Sequence, residues 1–183
     1  MFKIIFRILS AILALSLFAS CAEKNSYVTF SGYAQGGTYA VKANLKGVDV
    51  HPDDIAAGID SLLKNIDASL SGYNRNSILS RFNNGDAVQP DSLFVDIYSR
   101  AYDIYDITGG CVDPASAPLF DIWGFGFASE NAPSDKKVKD VLECCGMGRL
   151  KRNMTDLLSE DGTLVPADLL TESGQAPMLN YNA

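Results

Sequence analysis

Residues 108–114 have the sequence TGGCVDP, and residues 118–126 have the sequence PLFDIWGFG. Paired glycines permit backbone conformations that a Cβ would forbid, and they let a ligand approach the main chain closely. Pro114 biases Asp113 toward an extended or turn conformation. A second pair of glycines brackets a phenylalanine directly after the only tryptophan. Two interpretations are open: a loop shaped to hold a flat ligand beside an acidic side chain, or two ordinary turns that flank a buried tryptophan.

Upstream of this stretch, the hydrophobic pattern predicts a hairpin followed by a helix. Residues 27–32 and 38–45 are rich in β-forming residues and partly alternate, which predicts two strands joined by a turn at Gly36–Gly37. Over residues 52–70 the apolar residues recur at helical spacing, which predicts an amphipathic helix. The apolar face of this helix comprises Ile55, Ile59, Leu62, Leu63, Ile66 and Leu70.

Two further helices and a second pair of strands are predicted downstream. Asp91 is suited to cap a helix that runs to residue 107, where the glycine pair ends it. Its apolar side comprises Leu93, Phe94, Ile97, Ala101, Ile104 and Tyr105. Residues 134–145 predict another helix, with Val138, Val141 and Leu142 facing inward. Residues 149–156 and 162–170 predict hairpin-like strands. Strands with intervening helices indicate an α+β (mixed α/β) domain.

The amino terminus is predicted to be a lipoprotein signal peptide. Residues 1–20 carry Lys3 and Arg7 near their start and continue as an apolar run, residues 8–18, that is too short to span a bilayer as a helix. Small residues directly before Cys21 resemble a bacterial lipobox, which predicts lipidation of that cysteine; the alternative is a plain signal peptide with Cys21 incidental. Residues 21–26 are predicted to form a polar tether. A lipid anchor would hold the domain of residues 27–183 in the cell envelope, outside the cytoplasm, at the periplasmic or outer-membrane face.

Charge and cysteine content exclude several classes of function. Removal of residues 1–20 takes the formal net charge from −7 to −9, and an acidic surface disfavours nucleic acid as a partner. Backbone N–H groups of a local loop are still able to bind an anionic ligand. The chain has no CxxC pair and its sole histidine is His51, so neither a zinc site nor a thioredoxin-like centre is indicated. The pairing of Cys111 with Cys144 or Cys145 stays open.

Four segments together resemble the motifs of a known family. The TGGxxDP…WGFG pattern resembles the signature of the ApbE family, the flavin transferases that use FAD to attach FMN to other proteins. Residues 36–39 resemble its A-M-G-T-x-Y motif, and residues 70–83 resemble its L-S-x-Y…S-x-[IL]-S-x-[FL]-N motif. Residues 179–183 resemble the start of its L-D-[FL]-[NG]-[AG]-I-A-K-G-Y motif. The resemblance covers residues 27–183 and implies the N-terminal half of an ApbE-like flavin transferase fold.

The resemblance also implies which residues would bind FAD. By motif position these are Gly36, Tyr73, Cys111, Val112, Asp113 and Asn180. Tyr73 would stack on a flat ring of FAD, or else it closes a helix end. Asp113 would accept a hydrogen bond from a ribose or ring N–H, or else it caps the following turn. Trp123 is expected in the core. Ala183 aligns with a residue that offers its backbone carbonyl to Mg²⁺, a suitable hard oxygen ligand.

The implied reaction transfers FMN from FAD to a Thr or Ser hydroxyl of an extracytoplasmic acceptor protein and releases AMP, with Mg²⁺ neutralising charge. The expected acceptors are subunits of membrane redox complexes. Family members continue for roughly as long again, so the catalytic residues are expected in a missing C-terminal half, and the truncated chain is expected to lack activity without it. The alternative hypothesis is a non-catalytic surface lipoprotein, either a flavin-binding remnant or a binding module.

Overall fold

The computed structural model describes residues 26–125, 132–171 and 177–181. The predicted signal peptide, the lipidation site Cys21 and the metal ligand Ala183 lie outside the described residues. The chain divides into two compact units, one ending at Ala56 and the other beginning at Ala57. The described part contains helices and one small sheet, which confirms the predicted α+β class. None of its helices combines the length and the apolar character that a membrane span requires.

The first unit contains the predicted hairpin. Strands β1 (Tyr27–Ala34) and β2 (Gly37–Asn44) pair in antiparallel register, with Ala34 opposite Gly37. The two loop residues are therefore Gln35 and Gly36, with φ of 53° and 76°. Positive φ at both central positions is what a type I′ hairpin turn requires. The turn thus lies one residue earlier than predicted, because Gly37 already pairs with the opposite strand.

Five α-helices are present in the described residues. They are α1 (Pro52–Leu70), α2 (Ile78–Asn83), α3 (Ser92–Ile107), α4 (Ala117–Ile122) and α5 (Asp135–Leu142). The predicted cap of α3 is confirmed, since the side chain of Asp91 accepts a hydrogen bond from the Phe94 N–H at 2.7 Å. The predicted end of α3 is also confirmed, because Gly109 and Gly110 follow it with φ of 60° and 82°. These local signals act within one helical turn, so the sequence alone predicts them.

The predicted strands at residues 149–156 and 162–170 are wrong. These segments form short 3₁₀ turns instead, at Met147–Arg149, Thr155–Leu157 and Pro166–Leu169. Their strand-like contacts are single bridges, Leu150 to Leu170 and Val88 to Leu164. Leu164 pairs with a residue before α3 and not with residues 149–156, so no continuous hairpin ladder forms. Pro166 begins one of the turns, where its fixed φ is suitable and its missing N–H is not needed.

The core of the second unit lies between α2, α3 and the 3₁₀ segments. Its buried members include Leu79, Phe82, Phe94, Tyr98, Ala101, Met147, Leu150, Met154, Leu164, Leu169 and Leu179. Tyr98 is 1% exposed although the predicted apolar side of α3 omitted it, whereas Ile104 is 48% exposed. Leu62 and Leu142, which the periodicity placed on inward faces, are also exposed. Periodicity identifies the apolar face of a helix, but it does not show which part of that face is buried by neighbouring elements.

The hydroxyls of two core tyrosines differ in their hydrogen bonding. Tyr98 Oη donates to the carbonyl of Lys151 at 2.6 Å, whereas Tyr181 Oη is buried without a hydrogen-bond partner among the described residues. Burying a polar group without a partner costs about 1–3 kcal/mol. We expect Tyr181→Phe to raise the free energy of unfolding in urea by about 1 kcal/mol, and Tyr98→Phe to lower it by about 1 kcal/mol.

The same two residues also predict how stability responds to alkaline pH. Burial raises the pKa of both hydroxyls, while an unfolded tyrosine titrates at about pH 10. Stability from these groups is therefore complete below about pH 10 and is lost as the pH rises further. Each Phe variant should lose stability less steeply above about pH 10 than the wild type. A Tyr181→Phe protein that is less stable than wild type at neutral pH would contradict the expected stabilisation by that substitution. Equal slopes of stability against pH above about pH 10 would contradict the alkaline expectation.

Candidate functional site

A cleft of about 130 Å³ in the second unit brings together aromatic and polar side chains from distant parts of the sequence. The side chains that characterise its lining are Tyr73, Asn83, Phe120, Asp121, Phe125 and Asn180. Aromatic faces beside a few polar groups are typical of small-molecule sites. Two of the six, Tyr73 and Asn180, are predicted FAD-binding residues.

The loop that carries Tyr73 is held by buried serine side chains. Ser71 Oγ accepts hydrogen bonds from the N–H groups of Tyr73 and Asn74, at 3.2 and 3.1 Å. The Ser71 carbonyl accepts from the hydroxyls of Ser77 (2.6 Å) and Ser80 (3.1 Å). The backbone of the loop is therefore fixed while the Tyr73 side chain is 65% exposed. An exposed ring on a fixed loop is suited to stacking on a ligand, which is one of the two predicted roles of Tyr73.

Helix α4 and the turn after it supply the aromatic wall of the cleft. The rings of Phe120 and Phe125 lie 5.4 Å apart at an angle of 51°. Gly124, with φ of 80°, permits the turn that returns the chain, and the Phe125 N–H donates to the Phe120 carbonyl at 3.1 Å. The expectation that Trp123 lies in the core is wrong, because Trp123 is 52% exposed. A turn this tight brings the two phenylalanines together and leaves the tryptophan between them outside the core.

Asp121 is the one acidic side chain among the described lining residues of the cleft. Partial burial raises the pKa of its carboxyl above the usual range, because desolvation disfavours the charged form. An ionised carboxylate accepts hydrogen bonds and repels phosphate oxygens. The cleft is therefore better suited to the ring edge or a hydroxyl of a nucleotide than to its phosphates.

Asp113 caps a turn, which is one of its two predicted roles. Its Oδ1 accepts hydrogen bonds from the N–H groups of Ala115 at 2.9 Å and Met147 at 3.0 Å. The Asp113 carbonyl accepts from the Ser116 hydroxyl at 2.6 Å. The carboxylate thus joins the TGGCVDP loop to the segment after α5, across 34 residues of sequence.

The other predicted FAD-binding residues are not among the described lining residues of the cleft. Gly36 is in the hairpin turn of the first unit. Cys111 and Val112 are exposed in the second unit, and the described lining of the cleft includes neither of them nor Asp113. The three cysteines in the described part of the chain are free thiols, so the structure contains no disulfide between Cys111 and Cys144 or Cys145.

The segment of residues 177–181 forms no strand and is held by hydrogen bonds to a loop and to the last residue of α2. The Asn180 N–H donates to the Pro114 carbonyl at 2.8 Å. The side chain of Asn83 bonds both the N–H and the carbonyl of Leu179. These contacts place Asn180 at the cleft. Asn180 is distant in sequence from the Tyr73 loop, but both line the same cleft.

Within residues 26–125, 132–171 and 177–181, no group of three or more His, Cys, Asp or Glu side chains is arranged to hold a metal ion. The predicted ligand Ala183 lies outside these ranges. The described residues therefore do not by themselves form the donor set that Mg²⁺ prefers, and no reaction step is assigned to a metal from them.

A sequence model described as the ApbE family matches residues 22–176. The chain belongs to the ApbE family. An FAD:protein FMN transferase of Haemophilus influenzae is 31% identical over 145 residues, which are 76% of this chain and 41% of that protein. One of Vibrio cholerae is 30% identical over 121 residues, 64% of this chain and 36% of that protein. The chain spans about half the length, or less, of these curated ApbE relatives.

Solved ApbE structures share the fold. The flavin transferase ApbE of Vibrio cholerae superimposes with a TM-score of 0.70 at 21% identity, covering 85% of this chain and 48% of that one. The apo form of the Pseudomonas stutzeri flavinyl transferase ApbE gives a TM-score of 0.69 at 22% identity, covering 85% and 47%. The implied N-terminal half of an ApbE fold is thereby confirmed.

Sequence reasoning missed four of the six characteristic members of the cleft, which are Asn83, Phe120, Asp121 and Phe125. Phe120 and Phe125 were within the quoted signature, but neither was predicted to be a site residue. Asp121, in α4, carried no separate signal, because a lone acidic side chain on a helix is usually solvated. The spacing of two phenylalanines around a glycine was the available clue.

Proposed function

We propose that this chain supplies the flavin-nucleotide-binding half of an FAD:protein FMN transferase. The observation that carries the proposal is the cleft in which Tyr73 and Asn180, from two separate family motifs, lie together beside Phe120 and Phe125. The curated relatives bear the name of that activity. The chain would bind FAD with one flat ring of the dinucleotide stacked on Tyr73 and the phenylalanine pair.

The lining of the cleft supports a ring, and not the diphosphate, as its occupant. Three of its side chains are aromatic, and no lysine or arginine is found among its described lining residues. The Asp121 carboxylate would repel phosphate and would accept a hydrogen bond from an N–H or O–H of the nucleotide. The amide of Asn180 can both donate and accept, so it is able to orient the ring edge.

In the proposed reaction an acceptor Thr or Ser oxygen attacks the phosphorus of the FMN moiety. The bond from that phosphorus to the AMP oxygen breaks, AMP leaves, and the hydroxyl proton is released. The residues of this chain would orient FAD for that attack, which is a large part of phosphoryl-transfer catalysis. Mg²⁺, when bound, would neutralise the charge on the phosphates; its site would include the Ala183 carbonyl and residues beyond those described here.

The proposal extends to location and partners. Residues 1–20 have the features of a signal peptide, and Cys21 follows small residues as in a lipobox. We propose a lipid-anchored protein of the cell envelope whose acceptors are extracytoplasmic subunits of membrane redox complexes. Incubation of the protein with FAD, Mg²⁺ and an acceptor domain, followed by in-gel flavin fluorescence, tests the activity. FAD binding without a fluorescent acceptor band would instead support the non-catalytic flavin-binding lipoprotein.

Tyr73→Ala is expected to weaken FAD binding about tenfold, because ring stacking and the associated burial contribute about 1–2 kcal/mol. Tyr73→Phe keeps the ring and should bind within about twofold of wild type. Titration of FAD by fluorescence quenching measures both. Since the Tyr73 side chain is 65% exposed, neither variant should change the melting temperature without FAD appreciably.

Leu62→Ala is the matched control, since Leu62 has the same exposure, 65%, lies in the second unit and is outside the described lining of the cleft. It should bind FAD as the wild type does. Equal FAD affinity of Tyr73→Ala and wild type would refute the placement of the ring in this cleft.

A further inference from the structure

The side chain of Asn83 makes two hydrogen bonds to the backbone of a single distant residue. Its Nδ2 donates to the Leu179 carbonyl at 2.8 Å, and its Oδ1 accepts from the Leu179 N–H at 2.8 Å. The two residues are 96 positions apart. The pattern matches the exchange of two hydrogen bonds between opposed residues of antiparallel strands. One amide side chain thereby replaces a neighbouring strand for the segment of residues 177–181.

This double contact lies at the junction of the core and the cleft. Leu179 is 1% exposed and belongs to the core, and both it and the next residue, Asn180, border the cleft. Asn83 is the last residue of α2, and α2 begins at the cap residue Ser77, whose hydroxyl also bonds the Tyr73 loop through the Ser71 carbonyl. Asn83 therefore connects the element that supports Tyr73 to the segment that carries Asn180.

We infer that Asn83 is a positioning residue for the nucleotide, acting through Asn180: its amide holds the Leu179 backbone so that Asn180 and Tyr73 lie at one cleft. This inference rests on the proposed FAD binding. The chemistry requires an amide, because the group must donate to a carbonyl and accept from an N–H at the same time. An ionised aspartate has the same shape but only accepts, so it would oppose the Leu179 carbonyl with a second oxygen.

The test compares Asn83→Asp with Asn84→Asp. Both substitutions replace an amide by a carboxylate at adjacent positions, and Asn84 is exposed at the helix end outside the cleft. Titration of FAD into the full chain is expected to show about tenfold weaker binding for Asn83→Asp and wild-type affinity for Asn84→Asp. Circular dichroism and urea unfolding establish that each variant is folded.

A double-mutant cycle with Asn180→Ala separates positioning from a general structural role. If Asn83 acts through Asn180, Asn83→Asp should cost about tenfold in FAD affinity in the wild-type background and less than about twofold in the Asn180→Ala background. Equal losses in the two backgrounds would overturn the inference, because a general loss of structure is additive.

Asn83→Gln decides the question if Asn83→Asp does not fold. Glutamine keeps the donor and the acceptor but lengthens the side chain by one methylene, so it should fold and bind FAD about threefold to tenfold more weakly. A folded Asn83 variant with wild-type FAD affinity would overturn the positioning role. Failure of the wild-type protein to bind FAD would instead refute the proposed function, so the two failures are distinguishable.

Discussion

Asp113→Ala is expected to lower the free energy of unfolding by about 2–4 kcal/mol. The Asp113 carboxylate accepts hydrogen bonds from the N–H groups of Ala115 and Met147, at 2.9 and 3.0 Å. A hydrogen bond to a charged group contributes about 1.5–3 kcal/mol, and alanine would leave both donors without this acceptor. The substitution should also disturb the cleft, because the adjacent Pro114 carbonyl accepts a hydrogen bond from the Asn180 N–H. Urea unfolding followed by circular dichroism measures the effect.

Asp113→Asn is the matched control, because its amide oxygen can still accept both hydrogen bonds. It should cost less than about 1.5 kcal/mol, and its FAD affinity should stay near that of wild type. The opposite pattern, a stable Asp113→Asn protein that binds FAD much more weakly, would show that Asp113 is a ligand-binding residue after all. The pair of variants therefore distinguishes the two roles that the sequence left open.

Phe94→Ala is expected to cost about 3–5 kcal/mol, the usual loss when a buried phenylalanine is truncated. Phe94 is 0% exposed. Its ring centroid lies 5.7 Å from that of Phe82 and 6.3 Å from that of Tyr181. These three rings join α2, α3 and the segment of residues 177–181. The cavity left by the substitution would therefore loosen the elements that carry both sides of the cleft.

The controls for Phe94→Ala vary volume and burial separately. Phe94→Leu retains most of the apolar volume and should cost about 1–2 kcal/mol. Ile107→Ala removes an apolar side chain that is 86% exposed and should change stability by less than about 0.5 kcal/mol. Chemical unfolding with a common m-value tests the series. A Phe94→Ala protein within about 1 kcal/mol of wild type would show that this ring cluster does not stabilise the unit.

Much of the local structure could be predicted from the sequence. The hairpin, α1 and α3 followed from periodicity and turn residues, and the Asp91 cap with its glycine stop was found at the predicted positions. The family resemblance also predicted Tyr73 and Asn180 to bind FAD, and both line the same cleft. That pairing came from two motifs of a family, since no propensity relates residues so far apart.

Other features depended on contacts between distant segments. Residues 149–156 and 162–170 were predicted to be hairpin-like strands, yet Leu164 pairs with Val88 and the chain forms 3₁₀ turns. Trp123 was expected inside and lies at the surface, because the turn at Gly124 directs the two phenylalanines together. Neither outcome is encoded in a window of a few residues.

The amino-acid sequence alone was sufficient for α1, α3 and the hairpin of β1 and β2, because capping, glycine conformations and periodicity act over a few neighbouring residues. Its motifs were sufficient for the family. Only the folded chain assigned the Asp113 carboxylate to two backbone N–H groups and the Asn83 amide to Leu179. A polar side chain takes whichever buried donor or acceptor the packing brings within about 3 Å. The hydrogen-bond partners therefore depend on segments up to 96 residues away in sequence. These long-range hydrogen bonds bring the lining residues of the cleft together.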